Sequence, residues 1–169
     1  LDVGSDWIDT ATSYGNGQSE TNIGRLLQEM PKERRPRVSS KIGLAPEDLK
    51  DPKSAVRKAL EASLERLQTD KLELYQLHNR IGWSGSQGRD WFTPYDILRP
   101  GGIADAFESA REDGLTDFTG ITALGDTAAV RGVIASERFQ SAQVYYNMLN
   151  PTAAVNAPPG FDTTDFRGL

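Results

Sequence analysis

SLERLQTDKLELYQLH, residues 63–78, holds the transition that decides the fold. Its first half ends an amphipathic run in which Val56, Leu60, Leu64 and Leu67 recur three or four apart, one face of a helix. Asp51-Pro52 opens that run, a capping residue followed by proline at the first helical position. The second half, 72–78, is a short, mostly apolar run that stops on a histidine. Brief and continuous rather than strictly alternating, it reads as a strand covered by helices. Outward from this stretch the alternation repeats. Strands are expected at 7–9, 38–41, 118–122 and 142–146. Helices are expected after Ser19 (as cap, with Ile23, Leu26 and Leu27, stopped by Pro31), over 103–112 (Ala106, Phe107 and Ala110, ended by Gly114) and over 126–136 (Val130, Val133 and Ile134). Strand centres recur roughly every 25–45 residues, the size of a βαβ step. Five such units make an α/β protein, either a doubly wound sheet or part of a (β/α)8 TIM barrel. A barrel takes ~250 residues and eight units; 169 residues would be about two-thirds of one.

Composition narrows the chemistry. There is no cysteine, which removes disulfides, a thiolate nucleophile and Cys-based metal sites. A single histidine, His78, removes sites that need paired imidazoles, so no metal centre is expected. With 19 Lys+Arg against 24 Asp+Glu the net charge is −5, which argues against nucleic acid or an anionic membrane as partner. No apolar run approaches the ~20 residues of a membrane span, and no signal peptide is visible. A cytoplasmic protein is expected. The chain opens on LDVGSDWIDTA without methionine and closes in mid-stride on DTTDFRGL, so an excerpt of a longer protein is also expected.

Polar residues stand at the carboxyl ends of the expected strands: Asp9, Lys41, His78 and Thr122, with Gln143 in the fifth. In parallel α/β folds these ends form the binding face. Singly, each has a structural explanation. Asp9 could cap a turn, Lys41 could snorkel, His78 could be a satisfied strand-end histidine and Tyr14 a loop aromatic. Glu20 could be a charge favourable to its helix dipole. Together they make a proton-delivery set. A buried lysine beside a carboxylate keeps its charge. A cation beside a phenol makes the phenol a better proton donor near neutral pH, and an imidazole orients a carbonyl. Such a set suits carbonyl reduction, with hydride from a cofactor. The connection 79–100 is abnormally long and carries Trp83, Trp91, Phe92 and Tyr95, which marks it as functional rather than disordered.

These residues match a pattern. Trp7-Ile8-Asp9-Thr10-Ala11-x-x-Tyr14-Gly15-x-Gly17-x-Ser19-Glu20 resembles the aldo-keto reductase signature, with Asp and Tyr five apart. Ser39-Ser40-Lys41-Ile42-Gly43 resembles the strand carrying that family's lysine. The segment from Ser63 to His78 is similar to the one leading to its histidine, and Gln143-x-x-Tyr146-Asn147 to a later cofactor-side motif. The LHNRIG and GITALGDT runs resemble a bacterial branch. The resemblance covers residues 1 to about 150. It implies a (β/α)8 barrel, of which residues 1–169 supply strands two to six, and reduction of an aldehyde or ketone with NADPH. The cofactor follows from the family alone, and NADH stays open. It also implies roles: Tyr14 as proton donor, Lys41 and Asp9 as its ion pair, and His78 orienting the substrate carbonyl. Gln143 and Thr122 would sit at the nicotinamide, and Trp83, Trp91 and Phe92 on the substrate side. Where many members have Ser-Asn, this chain has Thr122-Ala123, so one carboxamide contact is missing. Such a chain alone, lacking the remaining barrel units, is expected to be inactive. Two other readings stay open: a regulatory cofactor-binding protein on the same fold, like channel β subunits, and an unrelated barrel enzyme using Lys41 as a Schiff-base amine. Substrate and oligomeric state are open as well.

Overall fold

The structure, a computed structural model, describes residues 4–83, 90–161 and 164–169. Strand β1 (Trp7–Asp9) leads through a loop to helix α1 (Gln18–Glu29). A 3-10 turn (Lys32–Arg34) then feeds β2 (Arg37–Ile42). Helix α2 (Pro52–Leu67) precedes β3 (Leu72–Leu77). The connection that follows holds β4 (Arg80–Ile81), β5 (Trp91–Phe92) and the short α3 (Pro94–Leu98). Then come α4 (Ile103–Glu112), β6 (Thr116–Thr122), α5 (Thr127–Ile134) and β7 (Ser141–Gln143). Five strands form one sheet in the order β1-β2-β3-β6-β7, every pair parallel. Successive parallel strands joined through helices are an arc of a (β/α)8 barrel.

Several local expectations are met for the reasons given. The Asp51 side chain accepts from Ser54 N, with Pro52 in the first turn, and Val56, Leu60, Leu64 and Leu67 are buried. Asp126 accepts from Ala129 N in the same way at α5. Three expectations need correction. Ser19 does not cap α1: Gly17 holds that position with φ +86°, and the Ser19 hydroxyl lies inside the first turn, 2.8 Å from Thr10 Oγ1. The fifth strand stops at Gln143 rather than 146, because only Gly120 to Thr122 of β6 are left to pair with it. The long 79–100 connection carries regular structure at its described residues, 79–83 and 90–100. Its strands β4 and β5 pair with each other, and the Thr93 side chain caps α3.

Register sets the two faces. Asp9 aligns with Ser39, Ser39 with Leu74, Lys41 with Gln76, Gln76 with Gly120 and Thr122 with Gln143. Alternation along each strand therefore puts Asp9, Lys41, Thr122 and Gln143 on one face. Val38, Ser40, Tyr75, Leu77 and Ile121 point the other way, into the helical layer. That layer is the core: Tyr75 stacks on Phe107 (5.5 Å, 28°), and Phe107 meets Phe139 edge-on (5.8 Å, 71°). Helix α2 packs between α1 and α4. Gly24 permits the approach of α1, since a Cβ there would lie 2.3 Å from the Arg66 carbonyl oxygen. No helix among the described residues is long and apolar enough to cross a membrane.

Candidate active site

The carboxyl ends of the five strands converge. Backbone bonds carry the β1–α1 loop across the top of β2: Thr10 N donates to Ser39 O (3.0 Å) and Thr12 N to Lys41 O (3.1 Å). Tyr14 N then turns back on Ala11 O (3.0 Å), and the Tyr14 carbonyl accepts from Ser19 N (3.2 Å) at the start of α1. This places the Tyr14 ring over Lys41, with Nζ 5.4 Å from its centroid. His78 follows β3 directly, its N–H bonded to Ile42 O (2.7 Å). Its ring stands edge-on to Tyr14 at 6.0 Å and 79°.

Lys41 is 1% exposed and yet holds a formal charge partner. Its Nζ donates to Asp9 Oδ2 (2.5 Å) and to Thr10 O (2.8 Å). Asp9 also accepts from Ser39 Oγ at Oδ1 (2.8 Å) and from Gln143 Nε2 at Oδ2 (3.3 Å). Burial pushes the Asp9 carboxyl up, but the bonds from Lys41 and Ser39 outweigh it, and its pKa lies below the usual carboxylate value. The His78 imidazole is pushed down, first by burial and then by the Lys41 charge, with Asp9 opposing. It is neutral at neutral pH.

A cleft of about 240 Å³ opens above this group, lined by Tyr14, His78, Thr122, Leu124, Gln143, Val144 and Tyr145. The structure thus brings Asp9, Tyr14, Lys41, His78, Thr122 and Gln143 together. It does not bring the aromatic residues of the 79–100 connection to that cleft. Phe92 is 2% exposed and belongs to the core, Trp91 is half-buried with the Arg80 guanidinium 5.7 Å over its ring, and Trp83 is exposed. Three participants were missed in the sequence. Ser39 was readable, since period two puts it on the face of Lys41. Tyr145, resting on Phe166 at 6.2 Å, had no local signal. The third is Glu20, which is wholly buried rather than a solvated helix charge. Among the described residues no group of three or more acidic or histidine side chains could hold a metal ion.

Residues 1–157 match the model of the aldo/keto reductase family. The chain belongs to that family. Among curated members, the uncharacterized oxidoreductase YrpG of Bacillus subtilis is 30% identical over 94% of this chain and 50% of its own length. The aldo-keto reductase YhdN of the same organism is 39% identical over 46% of this chain and 25% of its own. Among solved structures, an aldo/keto reductase from Klebsiella pneumoniae in complex with NADP and acetate is 28% identical with a TM-score of 0.66. It is covered over 47% of its length by 90% of this chain. The holo form of a Bacillus halodurans aldo-keto reductase is 26% identical with a TM-score of 0.63, over 86% of this chain and 45% of that one. The chain therefore spans about half the length of YrpG and of these two structures, and its fold is part of the family's (β/α)8 barrel.

Proposed function

We propose that this chain carries the proton-transfer half of an NADPH-dependent reductase of aldehydes or ketones. The observation that carries the proposal is the pair of the buried Lys41 with Asp9, with the Tyr14 ring over the ammonium and His78 at the edge of that ring. The residues at the ends of β6 and β7 fit a nicotinamide. With Gln143 Nε2 turned to Asp9, Oε1 is left to accept from a carboxamide N–H, and Thr122, whose hydroxyl donates to Leu77 O (3.2 Å), lines the same cleft. At about 240 Å³ the cleft is below the ~300–1,000 Å³ of a whole ligand site, a size for a nicotinamide end and a small carbonyl but not for a dinucleotide. NADP and NADPH complexes of related Klebsiella reductases support this choice of cofactor. When bound, the cofactor supplies a hydride to the carbonyl carbon.

The protein supplies the proton and the geometry. As the carbonyl oxygen gains negative charge, the Tyr14 hydroxyl donates to it. The Lys41 cation behind the ring stabilises the tyrosinate left behind. Asp9 keeps that cation fixed at its place, and Ser39 and Gln143 hold Asp9. His78 is neutral and so retains one N–H; with Ser13 Oγ 3.5 Å from Nδ1, Nε2 is the nitrogen left to donate to the substrate oxygen. The activity belongs to a complete barrel in the cytoplasm, and residues 1–169 alone are inactive in this reading.

The protein of the intact reading frame should oxidise NADPH when given a panel of aldehydes, followed at the nicotinamide absorbance. Tyr14→Phe should lower kcat by about 10²-fold or more, the loss of a general acid. Cofactor binding without turnover of any carbonyl would overturn the enzyme reading, and full activity in Tyr14→Phe would remove the assigned donor.

A further inference from the structure

Behind the site, on the helical side of β2, lies a second ion pair that the chemistry above does not use. Glu20 is 0% exposed. Its Oε1 accepts from Ser40 Oγ (2.5 Å), its Oε2 accepts from Arg66 Nε (2.7 Å), and Arg66 Nη2 completes the ion pair 2.6 Å from Oε2. Arg66 Nη2 donates onward to Ser63 Oγ (3.1 Å), and Ser63 Oγ lies 3.3 Å from Thr12 Oγ1. Thr12 is the residue whose N–H holds the Lys41 carbonyl. Ser40 and Lys41 are consecutive on β2 and face opposite ways, so the carboxylate that fixes Ser40 also fixes the strand from which Lys41 projects. The loop rests on the arginine as well. At Gly17, held at φ +86°, a Cβ would come within 2.9 Å of Arg66 Cδ.

An ion pair whose carboxylate is wholly buried and whose arginine is 29% exposed does not explain itself by stability, because well-packed apolar residues of the same volume are often as stable or more so. It does impose one geometry on everything bonded to it. Here those groups are the start of α1, the middle of β2, the end of α2 and the loop that carries Tyr14. We propose that Glu20 and Arg66, with Ser40 and Ser63, are positioning residues that hold the loop bearing Tyr14 so that its ring stays over Lys41 for proton transfer. None of the four lines the cleft. The proposal rests on the reading of Tyr14 as proton donor. Misplacing a reacting group by about 1 Å costs up to ~10²-fold in rate, so even a slightly relaxed loop is visible in the kinetics.

The test is a single turnover with the protein of the intact reading frame, preloaded with NADPH and mixed with excess benzaldehyde in a stopped-flow instrument. The amplitude counts folded, loaded sites, and the rate constant reports their geometry. Glu20→Gln should keep amplitude and NADPH affinity while the rate constant falls roughly tenfold to a hundredfold. Ser63→Ala leaves the ion pair and cuts its link to Thr12; it should lower the rate constant about threefold or more, and it decides the matter if Glu20→Gln does not fold. A lowered amplitude with an unchanged rate constant would mean a purely structural pair and overturn the proposal. So would wild-type rate constants in both variants. Tyr14→Phe separates the two failures. A wild-type rate in that variant sinks the donor assignment itself, whereas a dead Tyr14→Phe beside unaffected Glu20 and Ser63 variants sinks only the positioning role.

Discussion

Replacing Asp9 by Asn tests the pair on which the site is built. At an effective dielectric constant of ~20, unit charges 2.5 Å apart attract by about 6–7 kcal/mol before desolvation. Asn keeps a polar contact, and the Asp9 side chain is 36% exposed, so solvent already screens part of that attraction. A net cost of about 2–4 kcal/mol in unfolding free energy remains, near the lower end of what breaking a buried pair costs. The two halves of the pair are not equivalent. Asp9→Asn strands an ammonium that is 1% exposed, whereas Lys41→Met leaves a carboxylate that reaches water and still accepts from Ser39 and Gln143. Lys41→Met should therefore cost less, about 1–2 kcal/mol. In urea titrations with a constant m value, the double variant should recover about 2 kcal/mol relative to the sum of the singles. Additivity within ~0.5 kcal/mol, or a larger loss for Lys41→Met than for Asp9→Asn, would refute the argument.

Three further outcomes follow from the same geometry. His78 has a folded-state pKa below its unfolded value. Its contribution to stability is thus complete above the unfolded value near 6.5 and is lost as pH falls through the folded one. Urea titrations stepped downward from pH 7 should show this decline in the wild type and a flatter profile in His78→Gln. Phe107→Ala removes a fully buried ring stacked on Tyr75 and edge-on to Phe139 and should cost about 3–5 kcal/mol. The Tyr75 hydroxyl is buried beside Ser63 and near Glu20, without a hydrogen bond of good geometry among the described residues, so Tyr75→Phe should leave stability unchanged or raise it by up to ~1 kcal/mol. A loss of more than about 1 kcal/mol would show that the hydroxyl is bonded in solution.

What could be read from the sequence were the features whose cause is local. The strand at 72–77 is a short apolar run closed by a polar residue, and Asp51-Pro52 needs only its own backbone to cap α2. Asp9, Lys41 and His78 were legible because each ends such a run, and Gln143 because it lies in the fifth one. The misreadings share one origin, which is a partner outside the residue's own element. Ser19 had the right residue type for a cap, but the chain reaches α1 through a left-handed Gly17, and the hydroxyl is bonded to Thr10 on the loop from β1. Glu20 stood where a dipole-favouring charge would stand; Arg66, 46 positions on, makes it a buried brace. Phe92 looked like a pocket aromatic because its segment is long and rich in rings, yet β4 pairs with β5 and turns it into the core.

The bond from Gln143 to Asp9 joins the two outermost strands of the sheet, residues 134 positions apart. Strands at opposite ends of a flat five-stranded sheet would stand about 19 Å apart, at 4.7–4.9 Å per step. At this rim they touch. The sheet is therefore drawn up like a purse at its carboxyl end, and the drawstring is the Asp9 carboxylate. A displacement of the Gln143 amide reaches the Lys41 ammonium through two hydrogen bonds, so the far edge of the sheet and the buried cation move together.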